Sequence, residues 1–147
     1  MGGVGLVVSA AEALLHGHRT RSLSPRELAL ARRYFSSTEL ELACVHEGSV
    51  LFARGLRIAF VVGRIVKTWG PPSPALLMHE LVHVRQFRRW GWAYVAKALA
   101  AQAGQGYSYV GRNPLTLNAE QEAARLEDIA RADMGMGRRY VCDRRVA

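Results

Sequence analysis

The segment His79-Glu80-Leu81-Val82-His83 constrains this chain most, because it places two histidines four residues apart in a run typical of one helix. Four residues advance a helix by about 400°, so both imidazoles lie on one face and can share a metal ion. Glu80 lies to one side of the pair, where its carboxylate can reach a metal-bound water. The segment predicts a zinc-dependent hydrolase, most simply a peptidase, with His79 and His83 as zinc ligands and Glu80 as general base.

The alternative for this segment is an amphipathic helix that carries polar residues at its edge. Its surroundings argue against that alternative, since ionisable groups on a very apolar helix are costly unless they are paired or bound to metal. Residues 78–86 contain neither proline nor glycine, so the helix should be continuous, and Ser73 before Pro74 predicts where it begins. The apolar neighbours are Leu76, Leu77, Leu81, Val82 and Val84.

A catalytic zinc needs a third protein ligand, and the candidates lie in a second predicted helix. Asn118 is a suitable N-cap for a helix over residues 120–134. Helical periodicity places Glu122 nearer the apolar stripe of this helix, whereas Glu120 lies further round, near the helix start. From the residues alone both glutamates remain candidates, and each could instead be a solvated carboxylate favoured by the helix dipole.

The chain resembles the gluzincin group of metallopeptidases, in which a glutamate on a second helix completes the zinc site. Their second motif is often Glu-x-x-Ala-Asp; residues 120–124 match its glutamate and alanine but carry Ala124 in place of the final acid. The resemblance implies Glu120 as third ligand, Glu122 as the alternative, and one Zn²⁺ per chain. The missing acid usually supports a ligand histidine, and Asp128 is the expected substitute.

The resemblance is closer to small bacterial metallopeptidase domains described as contractile-injection-system core domains or minimal gluzincins. It rests on residues 33–35, 63–66, 79–86 and 118–123, in that order, and covers roughly residues 23–133. It implies an α+β, zincin-like fold. Such a fold has an N-terminal helix, a small mostly antiparallel sheet, the active-site helix and C-terminal helices that carry the third ligand.

The same resemblance supports a second interpretation of the function. The chain could be a zincin scaffold with weak catalysis, in which zinc is a structural element. It would then act as a structural or interaction module of a bacterial secretion, toxin or injection assembly. The short chain and the absent acid at Ala124 motivate this alternative.

Zincins hold an extended substrate by backbone pairing along the edge strand of their sheet, a mode that needs exposed amides rather than particular side chains. Residues 63–68 run directly into the motif helix, so they are the predicted edge strand; the alternative is an interior strand. The residues predicted to line the substrate are Gly63, Arg64, Ile65 and Val66.

Two tyrosines, Tyr107 and Tyr109, lie in a glycine-flanked segment between the two ligand helices. A tyrosine hydroxyl near the zinc could donate a hydrogen bond to the oxyanion that forms during peptide hydrolysis. The alternative for either residue is a structural role.

Other local signals predict the remaining elements. Ser24-Pro25-Arg26-Glu27 is a strong helix start, and that helix should run to about Tyr34. Alternation over residues 39–44 predicts a strand, and two further strands are expected at residues 57–62 and 64–69. Residues 36–38 and 70–74 are predicted loops, and the alanine-rich residues 93–103 should form a helix.

The chain has 147 residues, half of them hydrophobic and 22% charged, which fits a single domain over residues 1–147. No apolar run approaches the roughly 18 residues of a membrane span. Residues 1–22 are expected to form a loosely ordered segment; its apolar block is short and lacks a basic start, which favours a cytoplasmic protein and leaves secretion as the alternative.

The formal net charge is +8, and its basic residues are dispersed along the chain. A dispersed excess favours a solvated surface or an acidic protein partner, in addition to the peptide or protein substrate. Zinc-finger spacing, an RNA-binding aromatic motif and a basic zipper are missing from the sequence, so nucleic acid is the weaker alternative partner, supported only by the charge. Cys44 and Cys142 are expected to be reduced thiols, and the alternative is a disulfide between them in an oxidising compartment.

Overall fold

The computed structural model describes residues 20–48, 59–104 and 107–140, and over these ranges the chain is an α+β protein. The expectations for residues 1–19, 57–58 and Cys142 lie outside the described residues. The elements in chain order are β1 (Thr20–Ser22), α1 (Pro25–Ala31), α2 (Ser37–Leu40), β2 (Cys44–Glu47), β3 (Phe60–Val62), β4 (Ile65–Thr68), α3 (Pro74–Trp90), α4 (Ala93–Ala103), a 3-10 turn (Pro114–Thr116) and α5 (Ala119–Asp133).

Helix α1 begins as its sequence predicts but ends early. The Ser24 side chain accepts a hydrogen bond from the backbone N–H of Glu27, and the Glu27 carboxylate accepts one from the backbone N–H of Ser24. The predicted extension to Tyr34 is wrong, because the N–H groups of Arg33 and Tyr34 bond to carbonyls three residues back. That tighter turn ends the α-helix at Ala31.

The predicted strand over residues 39–44 and the predicted loop at residues 36–38 are both wrong. Ser36 and Glu39 form a second capping box, which begins the short helix α2 instead. These hydrogen bonds satisfy the N–H groups at the helix start, and the helix buries Leu40. Both effects favour a helix over the strand that the alternating pattern predicts. The chain then reverses through Leu42, whose φ is +64°, and β2 starts at Cys44.

The four strands form a mixed sheet in the order β1-β2-β4-β3. Strands β1 and β2 are antiparallel, β2 and β4 are parallel with Val45 opposite Val66, and β3 and β4 are antiparallel. The predicted sheet was mostly antiparallel, and two of its three pairings are, but the central pairing is parallel. The predicted loose segment 1–22 is also wrong at its end, since residues 20–22 form β1 and pair with β2.

Strand β4 is an interior strand, so the prediction that Gly63, Arg64, Ile65 and Val66 form the substrate edge is wrong. Its backbone is paired on one side with β2 and on the other with β3, which leaves no free row of amides. Gly63 and Arg64 instead form the β3–β4 turn, with Gly63 at φ +62° in the first central position. Among the described residues the sheet edges are β1 and β3.

The hydrophobic core lies between the sheet and helix α3, which also packs against α5. Helix α3 is buried on more than one of its sides, since ten of its seventeen residues are buried. None of the helices that the structure describes is long and apolar enough to cross a membrane. The central core residues with no exposed surface are Ala31, Val45, Val66, Leu77, Met78, Val82, Ala123 and Ala130.

Candidate metal centre

Helix α3 carries the histidine motif and is fixed at both ends by local chemistry. The Ser73 hydroxyl accepts a hydrogen bond from the N–H of Leu76, which agrees with the predicted helix entry near Ser73. Pro74 is the first helical residue, so the predicted loop over residues 70–74 is one residue too long. Gly91, at φ +57°, ends the helix. His79, Glu80 and His83 are respectively 5, 4 and 4% exposed, so the motif lies in the buried middle of the helix.

Helix α5 carries the glutamates and begins at the predicted cap. The Asn118 side chain accepts a hydrogen bond from the N–H of Gln121, and the Gln121 side chain accepts one from the N–H of Asn118. This reciprocal pair makes the first turn regular. Glu120 lies within that turn and is 3% exposed, so the turn presents a carboxylate to the protein interior.

His79, His83 and Glu120 come together as a buried group that could hold a metal ion. The two Nε2 atoms lie 3.2 Å apart. Oε2 of Glu120 lies 3.5 Å from Nε2 of His79 and 3.4 Å from Nε2 of His83. The sequence-based choice of Glu120 as the third member of this group is therefore supported by the geometry.

The three ligand atoms form a nearly equilateral triangle of a size that suits zinc. Nitrogen and oxygen ligands at about 2.0–2.1 Å from a tetrahedral ion lie about 3.3 Å from one another, and the observed edges are close to that value. Two imidazoles and a carboxylate are also a donor set that zinc accepts. The residues present thus fit a zinc ion without rearrangement of the backbone.

Glu80 is held close to this group without being part of it. Its Oε2 atom is buried and has no hydrogen-bond partner among the described residues. Burial raises the pKa of the Glu80 carboxyl above its usual value, and the neighbouring His79 and His83 offset part of that rise. A buried carboxylate oxygen with no protein partner is available to a water molecule or a substrate.

His79 is positioned by a residue that the sequence interpretation missed. Its Nδ1 lies 3.1 Å from Oε2 of Glu127, which is the distance of an ion pair. Burial lowers the pKa of His79, but Glu120 and Glu127 together raise it to about 9. Burial also opposes ionisation of Glu127, yet its contact with His79 holds the pKa of that carboxyl below its usual value.

Asp128 does not have the predicted role beside a ligand histidine. Its carboxylate accepts hydrogen bonds from the Tyr109 hydroxyl at 2.8 Å and from the backbone N–H groups of Arg139 and Tyr140. The supporting carboxylate is its neighbour Glu127, seven residues after Glu120. Positions i, i+4 and i+7 lie on one helix face, and here they are Glu120, Ala124 and Glu127. Glu127 therefore replaces the acid that is missing at Ala124, about one turn further along the helix.

His83 is positioned from within its own helix. Its Nδ1 lies 2.9 Å from Oε1 of Gln86, and the Gln86 amide group donates to the backbone carbonyl of Ala119 and to Glu122. Gln86 is 2% exposed and bridges the two ligand helices. Its place three residues after His83 is a signal that the sequence contained, since residues three apart are neighbours on a helix surface.

Glu122, the alternative candidate, lies outside the buried group that could hold a metal ion. Its carboxylate accepts hydrogen bonds from Arg85 and Gln86, both at 2.7 Å, and is not part of the buried metal-ligating group. The periodicity argument for Glu122 is wrong, because two residues advance a helix by about 200° and so turn this side chain away from Glu120. The periodic stripe marks the face that meets the core, and Glu120 reaches the site from the first turn.

Three aromatic rings surround the two histidines. Tyr107 and Tyr140 are stacked with their centroids 5.5 Å apart, and lie 6.2 and 6.3 Å from the His79 ring. The ring of Tyr94 lies 5.6 Å from that of His83. The structure thus places Tyr107 beside the site, whereas the hydroxyl of Tyr109 is bound by Asp128.

No family model matches the chain, and neither does any curated protein or solved structure. The resemblance to gluzincins therefore stays a prediction that rests on the motifs themselves. The coarse α+β class and the buried His79–His83–Glu120 group stand on the structure alone.

Proposed function

We propose that the protein is a zinc-dependent metallopeptidase of the gluzincin type. The observation that carries this proposal is the triangle formed by His79, His83 and Glu120, beside which lies the buried Oε2 atom of Glu80, without a hydrogen-bond partner among the described residues. A site that served only to hold zinc would not need a buried carboxylate with a free oxygen next to the ligands.

In this proposal His79, His83 and Glu120 would hold one Zn²⁺. When bound, zinc would supply Lewis-acid activation of water and of a peptide carbonyl. Glu80 would take a proton from the attacking water at its Oε2 atom and deliver it to the nitrogen of the leaving amine. The raised pKa of Glu80 suits this role, because a proton held too weakly could not be carried to the leaving group.

Tyr107 is the better of the two predicted tyrosines for stabilising an oxyanion. Its ring lies beside His79, whereas the Tyr109 hydroxyl donates to Asp128. Burial raises the pKa of the Tyr107 hydroxyl, and so do the charges of Glu120 and Glu80, so the hydroxyl stays protonated as a hydrogen-bond donor. Tyr107 is 41% exposed, which leaves it accessible to a substrate from solvent.

The Glu80→Gln variant tests the assignment of roles. It should keep one zinc per chain but lose hydrolysis of unstructured protein or peptide mixtures by at least about 100-fold, the lower range for loss of a general base. The measurement is peptide release per zinc-loaded chain, followed by mass spectrometry. Asp133→Asn, at an exposed carboxylate that contacts Tyr34 and not the site, is the matched control and should keep both properties. Loss of zinc from Glu80→Gln would contradict the division of roles.

A second function, a zinc-stabilised scaffold of a bacterial secretion, toxin or injection assembly, is favoured by one observation. All four site residues are 5% exposed or less, as expected of a structural zinc that needs no access. The same experiment separates the two proposals, because a scaffold would bind zinc and melt at a lower temperature without it, yet hydrolyse nothing. An acidic protein partner, which the net charge of +8 motivates, and a cytoplasmic location are further proposals.

A further inference from the structure

The chain after helix α5 turns back over its own last turns. The N–H of Met136 donates to the carbonyl of Arg131 and the N–H of Gly135 to the carbonyl of Ala132, with Gly135 at φ +72°. This pair of hydrogen bonds is the Schellman motif, which reverses the chain at a helix end. The Arg131 guanidinium also donates to the carbonyl of Gly137 at 2.6 Å, which holds the returning chain against α5.

The returning residues are fixed by a buried carboxylate. Asp128 is 1% exposed, and its Oδ1 accepts a hydrogen bond of 2.6 Å from the backbone N–H of Arg139. Its Oδ2 accepts one of 3.1 Å from the backbone N–H of Tyr140. Hydrogen bonds to an ionised carboxylate are among the stronger ones in proteins, so this short segment is held more firmly than a solvated tail.

Tyr140 of this segment lies against the candidate metal site. The Tyr140 hydroxyl donates to Oε2 of Glu127 at 2.9 Å, the same oxygen that lies 3.1 Å from His79. The Tyr140 ring is stacked on Tyr107, and both rings lie beside His79. Residues 137–140, here called the C-terminal strap, therefore form one wall of a site whose four central side chains are almost fully buried.

We propose that the C-terminal strap is an autoinhibitory contact that closes the metal site. In the strapped state Tyr140 covers His79, and a peptide chain cannot reach Glu80. Release of the two backbone hydrogen bonds to Asp128 lets Tyr140 leave Tyr107 and opens the site. The inference that the strap controls catalysis rests on the proposed function, whereas the closure itself is a property of the fold.

The test measures how fast diethyl pyrocarbonate modifies His79 and His83 in the metal-free full-length chain. Arg139→Pro removes the backbone N–H that donates to Asp128, and Arg139→Ala is its matched control, since it removes the same side chain but keeps that N–H. Tyr140→Ala is a second strap variant that leaves Asp128 untouched. His46 lies in β2, is 8% exposed, and serves as an internal reference for the intact fold.

The strap predicts that Arg139→Pro and Tyr140→Ala speed modification of His79 and His83 by about tenfold or more, the factor that corresponds to loss of one hydrogen bond to a charged group. In Arg139→Ala the modification rate of His79 and His83 should stay within about twofold of that in the unaltered chain. The contact of the exposed Arg139 guanidinium contributes little to holding the strap in place. Equal rates in all four proteins would overturn the proposal. Faster modification of His46 in the same variants would also overturn it, since that result would reflect loss of the whole fold.

Peptide hydrolysis by the same zinc-loaded variants separates the two proposals. Faster hydrolysis by Arg139→Pro than by Arg139→Ala, at equal zinc content, supports both. If His79 and His83 become reactive in the strap variants but no variant hydrolyses peptide, the proposed peptidase function fails and the strap stands.

Discussion

At the scale of single residues, local spacing predicted which side chains of helix α3 lie at the buried site but not the residues that position them. His79, Glu80 and His83 follow from a pattern of five residues, because a helix brings i and i+4 together wherever it lies. Glu127 was missed because its role depends on how α5 packs against α3, which no local pattern encodes. Once Glu120 is known to lie at the site, however, the spacing does predict Glu127, because a residue seven positions later lies on the same helix face.

The contact between Glu127 and His79 should matter for metal binding. Replacement of Glu127 by Gln keeps the shape but removes the charge that orients His79 and makes it a better ligand, so zinc affinity should fall by roughly 10–100-fold. Competition with a chromophoric chelator measures the affinity. Asp133→Asn on the same helix, which contacts Tyr34 instead of a histidine, should change it by less than about twofold, and the same loss in both variants would contradict a specific role for Glu127.

At the scale of elements, capping signals were the most reliable part of the sequence. Ser24, Ser73 and Asn118 each begin a helix as predicted, because a cap satisfies backbone groups within one turn. The capping box of Ser36 and Glu39 was overlooked in favour of an alternating pattern, and the strand prediction failed there. The interior position of β4 could not be predicted, since strand order depends on pairing between distant segments.

The connection between α2 and β2 contains a strained residue, and its replacement should stabilise the protein. Leu42 has φ +64°, a conformation that costs a residue with a Cβ atom about 1–2 kcal/mol, and it is exposed. Leu42→Gly should therefore raise the free energy of unfolding by roughly 1 kcal/mol after its entropy cost, measured by urea denaturation. Leu42→Ala keeps the Cβ atom and should give no such gain; equal stabilisation by both variants would mean that the backbone is not the cause.

At the scale of the whole molecule, a small mixed sheet and two ligand helices build a site that is nearly closed. The sequence predicted the coarse α+β class and the two helices, because each helix carries its own periodicity and cap. The closure by Tyr107 and Tyr140 could not be predicted, since it depends on the turn at Gly135 and on the buried Asp128. The fold therefore determines how exposed the site is, whereas the motif determines which side chains of helix α3 it contains.

Zinc content tests the central claim most directly. The unaltered chain, Glu120→Gln, Glu122→Gln and His79→Ala would be incubated with zinc, dialysed against a weak chelator and measured by elemental analysis. The triangle of His79, His83 and Glu120 predicts one zinc per chain in the unaltered protein and in Glu122→Gln, and little in Glu120→Gln and His79→Ala. Little zinc in the unaltered chain, or as much in Glu120→Gln as in Glu122→Gln, would contradict this account of the site.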